Sequence, residues 1–468
     1  MASLYTLQAG ALDLLKRPLV SSQFFTALRT YWQLMADGKL PGSISKLSPP
    51  GSSASFAESI AWLHGAVSAF SSATVASSTP QHADPWWFPE TQGRIISTYS
   101  LVRNLMPWLL PEYAPLRDVP ELAINNNAET LPIEDAAQFA EELEGKLTHA
   151  SEASNSSYSL AAKLRASLPA AANQLRALAS GLRDIARRAE RLAEETEFGF
   201  LVEPSRRILS IGYDVRAQKR NQSCYDMLAS EARIATFLAV ARGELPQQSW
   251  FKLARDYAHA FGTYTIISWT GTMFEYLMPS LWMRSYPHTL IARMLNACVQ
   301  VQQEFGRSHG IPWGISESGS ARKDDGGHYS YHAYGVPQIA LFYDATAGPV
   351  VSPYSSYLAL GVDSVEAMRN LRRMGSAGWV GAYGFYESAD YSTPSRKAEV
   401  VREWMAHHQG MSLLAILNCL CDDIVQQWFH SNPLMQSAEL LLHEMPTDKA
   451  TLKVMMKDFA AIPQKADT

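Results

Sequence analysis

Residues 288–314, HTLIARMLNACVQVQQEFGRSHGIPWG, join a long amphipathic segment to a short turn rich in glycine, proline and tryptophan. Apolar side chains recur at helical spacing up to Phe305, which predicts a helix over His288–Arg307. Gly310 and Pro312 then interrupt the pattern, because both residue types favour turns over helix interiors. The repeating unit of this fold is therefore predicted to be an apolar helix followed by a compact turn.

The alternation of helix and short turn continues through the carboxyl-terminal half of the chain. Further helices are predicted over Cys224–Arg242, Thr272–Trp282, Pro353–Leu360, Ser364–Met374 and Ala398–Cys421, with turns rich in glycine, proline or tryptophan between them. Strands do not alternate with helices in this pattern, and β-branched residues are not clustered. Such repetition predicts an all-α fold, a toroid of helical hairpins whose loops at one rim carry the chemistry.

The amino-terminal part is predicted to be helical without carrying a chemical motif. Helices are expected over 4–37 with a break near Pro18, over 56–76, and over two long amphipathic segments, 134–150 and 158–196, whereas prolines break the pattern over 77–95. We therefore divide the chain into a helical part with a long hairpin over 1–197, a catalytic part over 198–445 and a polar tail over 446–468.

Composition and missing motifs narrow the class of protein. The 468 residues are 47% hydrophobic and 18% charged, as in globular chains, and the net charge of −5 gives no reason to expect nucleic acid. No apolar run approaches the roughly 20 residues of a membrane span, and a signal peptide is not recognisable. The four cysteines lack metal-binding spacing, and the adjacent His407 and His408 would point about 100° apart on a helix. We expect no metal, no cofactor and no transmembrane segment in this chain.

Carboxylates in aromatic-rich turns and helix starts are the strongest chemical signal. They are Glu231 in YDMLASEAR, Glu275 in WTGTMFEY, Glu317 in PWGISES, and Glu387 with Asp390 in YGFYESADY. Any one of them could be a structural acid paired with arginine, and Glu231 could be a charge favoured by the dipole at a helix start. As a group they indicate glycoside cleavage, because that chemistry needs two opposed carboxylates around a sugar cleft.

Six long motifs, in order along the chain, resemble a known family. They are YDMLASEARIATFLAVARGELP, SWTGTMFEYLMPSLWMRSY, GIPWGISES, YHAYGVP, YGFYESADYSTPSR and MAHHQGMSLLA. These strings are similar to the serial motifs of the cyclisation (glucoamylase-like) domain of cyclic β-1,2-glucan synthases, which is related to endo-β-1,2-glucanases. The resemblance covers about 198–445 and implies an (α/α)6 barrel that acts on β-1,2-glucan. Upstream, only LYTLQAGALDLL resembles the family's first retained helix.

The resemblance assigns a role to each candidate residue. It implies that Glu231 is the general acid/base and Glu317 the nucleophile of a retaining mechanism. The apolar helix around Glu231 suits a protonated acid, and the serine-flanked turn of Glu317 offers hydrogen-bond donors to a charged one. Glu387 is the main competitor for a catalytic role. The sugar subsites would be lined by Trp269, Glu275, Trp313, Tyr386, Glu387, Asp390, His407, His408 and Gln409.

Departures from the family pattern leave several functional hypotheses open. Two early family strings, Tyr-Asn-Trp-Tyr-Asp and Ser-Val-Asp-Ser-Gly-Asn, are not found, so the toroid is expected to be incomplete at its amino terminus. Arg322–Asp325 also interrupt the aromatic sequence expected after GISES. The first hypothesis is a glycosidase or transglycosylase; the second is an inactive or split fragment that serves as a glucan-binding or assembly piece; the third is a degenerate fragment. The resemblance implies other domains or chains of a glucan synthase as partners, and a cytoplasmic location beside an inner-membrane synthase.

Overall fold

A computed structural model describes residues 1–36, 44, 47–51, 53–72, 87–122, 124, 126–150, 156–228, 232–343, 348–392 and 397–446. Three of the sequence predictions lie wholly or partly outside these residues: the general acid Glu231, the polar tail beyond residue 446, and residues 77–86 of the predicted break. The chain divides into two compact units, one made of Met1–Ala9 with Ala189–Thr468 and the other of Gly10–Arg188.

Helices α1 to α7 account for most of the described residues up to 194. They are α1 (Ala2–Leu15), α2 (Ser22–Ala36), α3 (Phe56–Ser72), α4 (Trp87–Leu105), α5 (Ala114–Arg117), α6 (Ile133–Ala150) and α7 (Ser156–Glu194). The predicted long amphipathic pair is confirmed as α6 and α7. The break predicted over 77–95 is wrong from Trp87 onward, because Pro89 lies in the first turn of α4, where proline needs no hydrogen-bond donor.

The second half of the chain combines helices α8 to α15 with thirteen short strands among the described residues. The helices are α8 (Ala232–Ala241), α9 (Met273–Leu277), α10 (Leu290–His309), α11 (Pro353–Leu358), α12 (Ser364–Ser376), α13 (Ala406–Leu420), α14 (Ile424–His430) and α15 (Pro433–Ala438). The strands are β1 (Val202–Glu203), β2 (Ile208–Leu209), β3 (Tyr213–Asp214), β4 (Lys219–Arg220), β5 (Tyr257–Ala260), β6 (Thr263–Ile266), β7 (Ser318–Lys323), β8 (Tyr329–His332), β9 (Val350–Val351), β10 (Val380–Gly381), β11 (Gly384–Phe385), β12 (Ser388–Asp390) and β13 (Glu399–Val401).

The mostly helical character is confirmed, but the connecting turns contain more regular structure than an all-α fold implies. Five two-stranded antiparallel ladders and one three-stranded sheet, in the order β13-β12-β9, occupy the turns of the described chain. The helix predicted over Ala398–Cys421 is wrong at its start, because residues 399–401 form β13 and α13 begins only at Ala406. These ladders are short enough that alternating polarity does not reveal them in the sequence.

Helix α10 shows why the apolar segments become helices. The Thr289 side chain accepts a hydrogen bond from the backbone of Ala292 and caps the amino terminus, and Gly310 ends the helix with a φ of 68°. The apolar face of α10 enters the core of its unit, with Met294, Cys298 and Phe305 each buried. The predicted helix and its terminating glycine are confirmed.

Each unit has a hydrophobic core of its own. In Gly10–Arg188 the buried rings of Phe25, Trp32 and Trp108 pack with aliphatic residues of α3, α4, α6 and α7. In the other unit, Phe237, Trp250 and many aliphatic residues of α8 to α15 form the larger core. Among the described residues, none of the helices is both long and apolar enough to cross a membrane.

A buried histidine in the larger unit makes stability depend on pH. The His430 ring is 2% exposed, accepts the Arg284 backbone N–H at Nε2 (3.2 Å), and has its Nδ1 3.2 Å from Glu439 Oε1. Burial lowers the pKa of His430 from 6.5 to about 4, against an opposing effect of Glu439. The unfolded chain therefore binds a proton that the folded chain does not bind between these two pH values.

Acidification from pH 6.5 towards 4 is therefore expected to lower the free energy of unfolding by an amount on the order of 2 kcal/mol through this group. Urea unfolding, followed by circular dichroism at several pH values between 6.5 and 4, measures the slope of the free energy of unfolding against pH. His430→Gln should flatten it, whereas His309→Gln, at the exposed end of α10, should leave it unchanged. Equal slopes in wild type and His430→Gln would contradict the assignment.

Candidate active site

Glu317 lies on a turn that several buried groups hold in place. Gly314 begins the turn with a φ of 112°, and a Cβ there would lie 2.2 Å from Ser355 Oγ, so only glycine fits. Gln302 of α10 accepts the Ile315 N–H at 2.8 Å and donates to its carbonyl at 3.0 Å. Ser318 follows as the first residue of β7. Glu317 itself is partly exposed, as a residue that meets a ligand needs to be.

The hydroxyl of Tyr331 lies beside the Glu317 carboxylate. Tyr331 lies on β8 opposite Gly319 of β7, and its hydroxyl is close enough to Glu317 for the charge of that carboxylate to act on it. Burial and the neighbouring Glu317 raise the pKa of Tyr331, so its hydroxyl stays protonated. The same oxygen is 3.4 Å from His407 Nε2. Burial, followed by the neighbouring His408, lowers the pKa of His407. Tyr331 is the first residue of the YHAYGVP motif, but no role was predicted for it.

Glu387 and His408 form a buried pair beside the Glu317 turn. Their exposed fractions are 2% and 1%, and His408 Nδ1 is 2.8 and 3.0 Å from the two Glu387 oxygens. Because a carboxylate only accepts, Nδ1 carries the hydrogen. Glu387 Oε1 also accepts the backbone N–H of Gly319 at 3.2 Å. Glu387, the main competitor for a catalytic role, is thus buried and surrounded by hydrogen-bond donors of the protein.

A third carboxylate, that of Glu403, lies against Gly319 of β7. It was not among the candidates predicted from the sequence. Its Oε1 is buried and has no hydrogen-bond partner among the described residues, and a Cβ on Gly319 would lie 2.8 Å from it and 3.4 Å from Glu387 Cγ. Burial and then the charge of Glu387 raise the pKa of Glu403. Glu403 comes just before Trp404, and the other candidate carboxylates were also chosen for their aromatic neighbours. The same signal could therefore have added Glu403 to the candidates.

Glu275 is placed by the start of α9. Its carboxylate accepts from the backbone N–H and hydroxyl groups of Thr270 and Thr272, at 3.0–3.3 Å, and completes a capping box with Thr272. Burial raises the pKa of Glu275, partly offset by these donors. These contacts account for Glu275 as a helix cap.

The two predicted subsite tryptophans differ in exposure. Trp269 is 48% exposed and pairs with the exposed ring of Phe342 at 4.5 Å between centroids. Trp313 is 7% exposed and packs against Gly306 of α10. A Cβ added to Gly306 would lie only 2.9 Å from the Cβ of Trp313. The face of Trp269 is therefore open to a sugar ring, whereas Trp313 lies in the core.

The remaining predicted residues extend the site from β11 to the start of α13. Asp390 is 1% exposed and accepts from the backbone of Ala321 and Ser392 at 3.0 and 2.8 Å. Tyr386 is partly exposed, and its ring lies 5.0 Å from that of Trp404. Gln409 donates to the Phe385 carbonyl at 3.2 Å. Tyr386, Glu387, His408 and Gln409 line one small recess with Tyr354. The structure thus groups Glu317, Glu387, His407 and His408 closely, with Tyr386 and Gln409 beside them.

The described side chains include no cluster of three or more His, Cys, Asp or Glu residues that could hold a metal ion. The arrangement instead offers a partly exposed carboxylate with a phenol donor, buried carboxylates behind it, and aromatic rings nearby. Such a set can stabilise positive charge at a sugar carbon and can present flat apolar faces to sugar rings.

Comparison with known proteins shows which family this part of the chain resembles. Residues 223–433 match the family model described as "Putative glucoamylase", so this part of the chain is similar to glucoamylase-like domains. The particular relative is the cyclic β-(1,2)-glucan synthase NdvB of Rhizobium meliloti (strain 1021), 40% identical over 275 residues. That match covers 58% of this chain and 10% of the relative, so the chain spans about a tenth of that protein's length. The resemblance read from the six motifs is confirmed.

Solved structures similar to this chain include two glucanases. The chain superposes on β-1,2-glucanase from Parabacteroides distasonis with a TM-score of 0.41 and 12% identity, covering 91% of this chain and 60% of that one. For endo-β-1,2-glucanase from Talaromyces funiculosus in complex with sophorose, the TM-score is 0.41 and the identity is 11%. That match covers 95% of this chain and 81% of the glucanase chain.

Proposed function

We propose that this protein is a glycoside hydrolase or transglycosylase that acts on β-1,2-glucan by a retaining, two-carboxylate mechanism. The observation that carries the proposal is the partly exposed Glu317. Its carboxylate lies beside the Tyr331 hydroxyl, in a part of the chain similar to glucoamylase-like domains. The substrate class follows from the similarity to a cyclic β-(1,2)-glucan synthase. The proposed catalytic part is 198–445, and the fold proposed for it is part of an (α/α)6 toroid.

Glu317 is proposed as the nucleophile because it is accessible where Glu387 is not. Attack by its carboxylate on the anomeric carbon would form a covalent glycosyl-enzyme and break the glycosidic bond. The Tyr331 hydroxyl would orient the carboxylate before attack. Glu231, proposed from the SEAR motif, would protonate the departing sugar oxygen and then take a proton from the acceptor. An acceptor water gives hydrolysis; a glucan hydroxyl gives transglycosylation, and the far end of the same chain gives a ring.

The subsites proposed around this pair combine aromatic and polar side chains. Trp269 and Tyr386 present open rings, and His407 and Gln409 present polar edges. Aromatic faces with polar edges suit pyranose rings, whose axial C–H groups are apolar and whose hydroxyls need hydrogen bonds. Other domains or chains of a glucan synthase are the proposed protein partners, as in the relative.

The test is incubation of the purified chain with linear β-1,2-glucan, with a linear β-1,3-glucan as the matched control polymer. Mass spectrometry and reducing-end analysis separate the products, because a cyclic glucan is lighter than its linear form by one water and has no reducing end. Shorter, longer or cyclic β-1,2 products would support the proposal. Binding of the glucan without any new product would instead support the glucan-binding or assembly role.

A further inference from the structure

We infer that Tyr354, His408 and Glu387 form a clamp that holds the backbone on both sides of Glu317. Glu387 is then a positioning residue and not one of the two reacting carboxylates. The inference rests on the proposed function for the role of Glu317, while the clamp itself is defined by hydrogen bonds around residues 316–319.

The first arm of the clamp reaches Glu317 from its amino side. The Phe274 backbone N–H, in the first turn of α9, donates to Ser316 Oγ at 3.0 Å. Ser316 Oγ is 2.7 Å from the Tyr354 hydroxyl, which in turn donates to the Glu317 carbonyl at 3.0 Å. Burial raises the pKa of Tyr354 well above its ordinary value, so the donor keeps its hydrogen. This chain of donors fixes the Glu317 peptide group relative to α9 and α11.

The second arm holds the peptide two residues further on. Glu387 Oε1 accepts the Gly319 N–H at 3.2 Å, and Ser388 Oγ donates to the Gly319 carbonyl at 2.5 Å. The Glu387 backbone is itself held, because its carbonyl accepts from Ser352 Oγ at 2.7 Å. Strand β7, which begins directly after Glu317, is thereby attached to β12.

His408 joins the two arms. Its Nδ1–H bridges both oxygens of Glu387, and its ring stacks on the Tyr354 ring at 3.9 Å with an interplanar angle of 13°. All three clamp side chains are at most 3% exposed. Glu387 is 2% exposed and both of its oxygens accept hydrogen bonds, so neither oxygen is accessible to an anomeric carbon. Its physical effect is to fix the position of Glu317.

The experiment compares Glu387→Gln with Glu387→Ala. Glutamine can still accept the Gly319 N–H and can donate to the other histidine tautomer, whereas alanine leaves Gly319 and His408 without a partner. Because a misplaced catalytic group costs about 10²-fold, Glu387→Ala should lower kcat about 100-fold, with Glu387→Gln within about 10-fold of wild type and KM little changed in both.

Tyr354→Phe is a second, milder variant that keeps the stack on His408 and removes only the hydroxyl. It should lower kcat roughly 10-fold with KM unchanged, because a single hydrogen bond to the Glu317 peptide is lost. The matched control is Tyr357→Phe, one turn further along the same segment, which should match wild type. Hydrogen exchange of the peptide spanning 316–320 gives a readout without turnover: exchange should rise in Glu387→Ala and Tyr354→Phe, and stay near wild type in Glu387→Gln and Tyr357→Phe.

The outcomes separate this inference from the proposed function. Equal and near-complete inactivity of Glu387→Gln and Glu387→Ala, with wild-type exchange at 316–320, would overturn the clamp and make Glu387 a reacting carboxylate. If wild type acts on no glucan, the proposed function fails, while the exchange pattern still decides the clamp.

Discussion

Glu317→Gln is expected to lower the turnover of linear β-1,2-glucan by about three orders of magnitude or more, with little change in glucan binding. The amide keeps the shape of the side chain and its contact with the Tyr331 hydroxyl, but it cannot form the glycosyl-enzyme ester. Initial rates from reducing-end assays give kcat, and isothermal titration with an oligosaccharide of β-1,2-linked glucose gives the binding constant.

Two controls make this result specific to the nucleophile. Glu399→Gln changes an exposed carboxylate of β13 in the same manner and should match wild type. Azide added to Glu317→Ala should restore turnover and yield a glycosyl azide of inverted configuration, because the small anion occupies the space of the lost carboxylate. Near-wild-type turnover in Glu317→Gln would remove Glu317 from the mechanism and return Glu387 to consideration.

Glu231→Gln is expected to have the second largest effect, about 10²- to 10⁴-fold on linear glucan, the usual contribution of general acid–base catalysis. The size of this rate loss should depend on the leaving group of the substrate. A sugar hydroxyl leaves poorly without a proton, whereas 4-nitrophenolate leaves readily. The first step with a 4-nitrophenyl β-1,2-linked disaccharide should therefore be much less impaired than the step with glucan.

Stopped-flow measurement of nitrophenol release checks this expectation. Glu231→Gln should show a burst followed by slow turnover, since breakdown of the intermediate also needs the base. Glu304→Gln, a partly exposed position on α10, provides the control with unchanged rates. A loss of the same size on both substrates would contradict an acid role for Glu231.

Much of the helical framework could be predicted because its determinants are local. The face of α10 repeats at helical spacing, and a threonine and a glycine mark its ends within a few residues of sequence. Helical spacing of apolar residues likewise predicted α6 and α7. The turn of Glu317 was equally visible, since glycine, proline and tryptophan stand directly before it.

The start of α4 and the short ladders were not predictable in the same way. A proline near a helix start and a proline that breaks a helix look alike until the boundary is known. Strands of two to six residues are stabilised by partners elsewhere in the chain, such as Gly319 opposite Tyr331. Their pairing is a tertiary property, so the local pattern underestimated the regular structure in the turns.

By itself the sequence determined the similarity to glucoamylase-like domains, the predominance of helix, and a short set of candidate carboxylates. Only the tertiary structure distinguished among those carboxylates. It enclosed Glu387 with His408, 21 positions along the chain, and left Glu317 partly exposed beside Tyr331. It also assigned Glu275 to a helix cap. The physical reason is that the reactivity of a carboxylate depends on its solvent access and its hydrogen-bond donors, and folding brings those donors from distant segments.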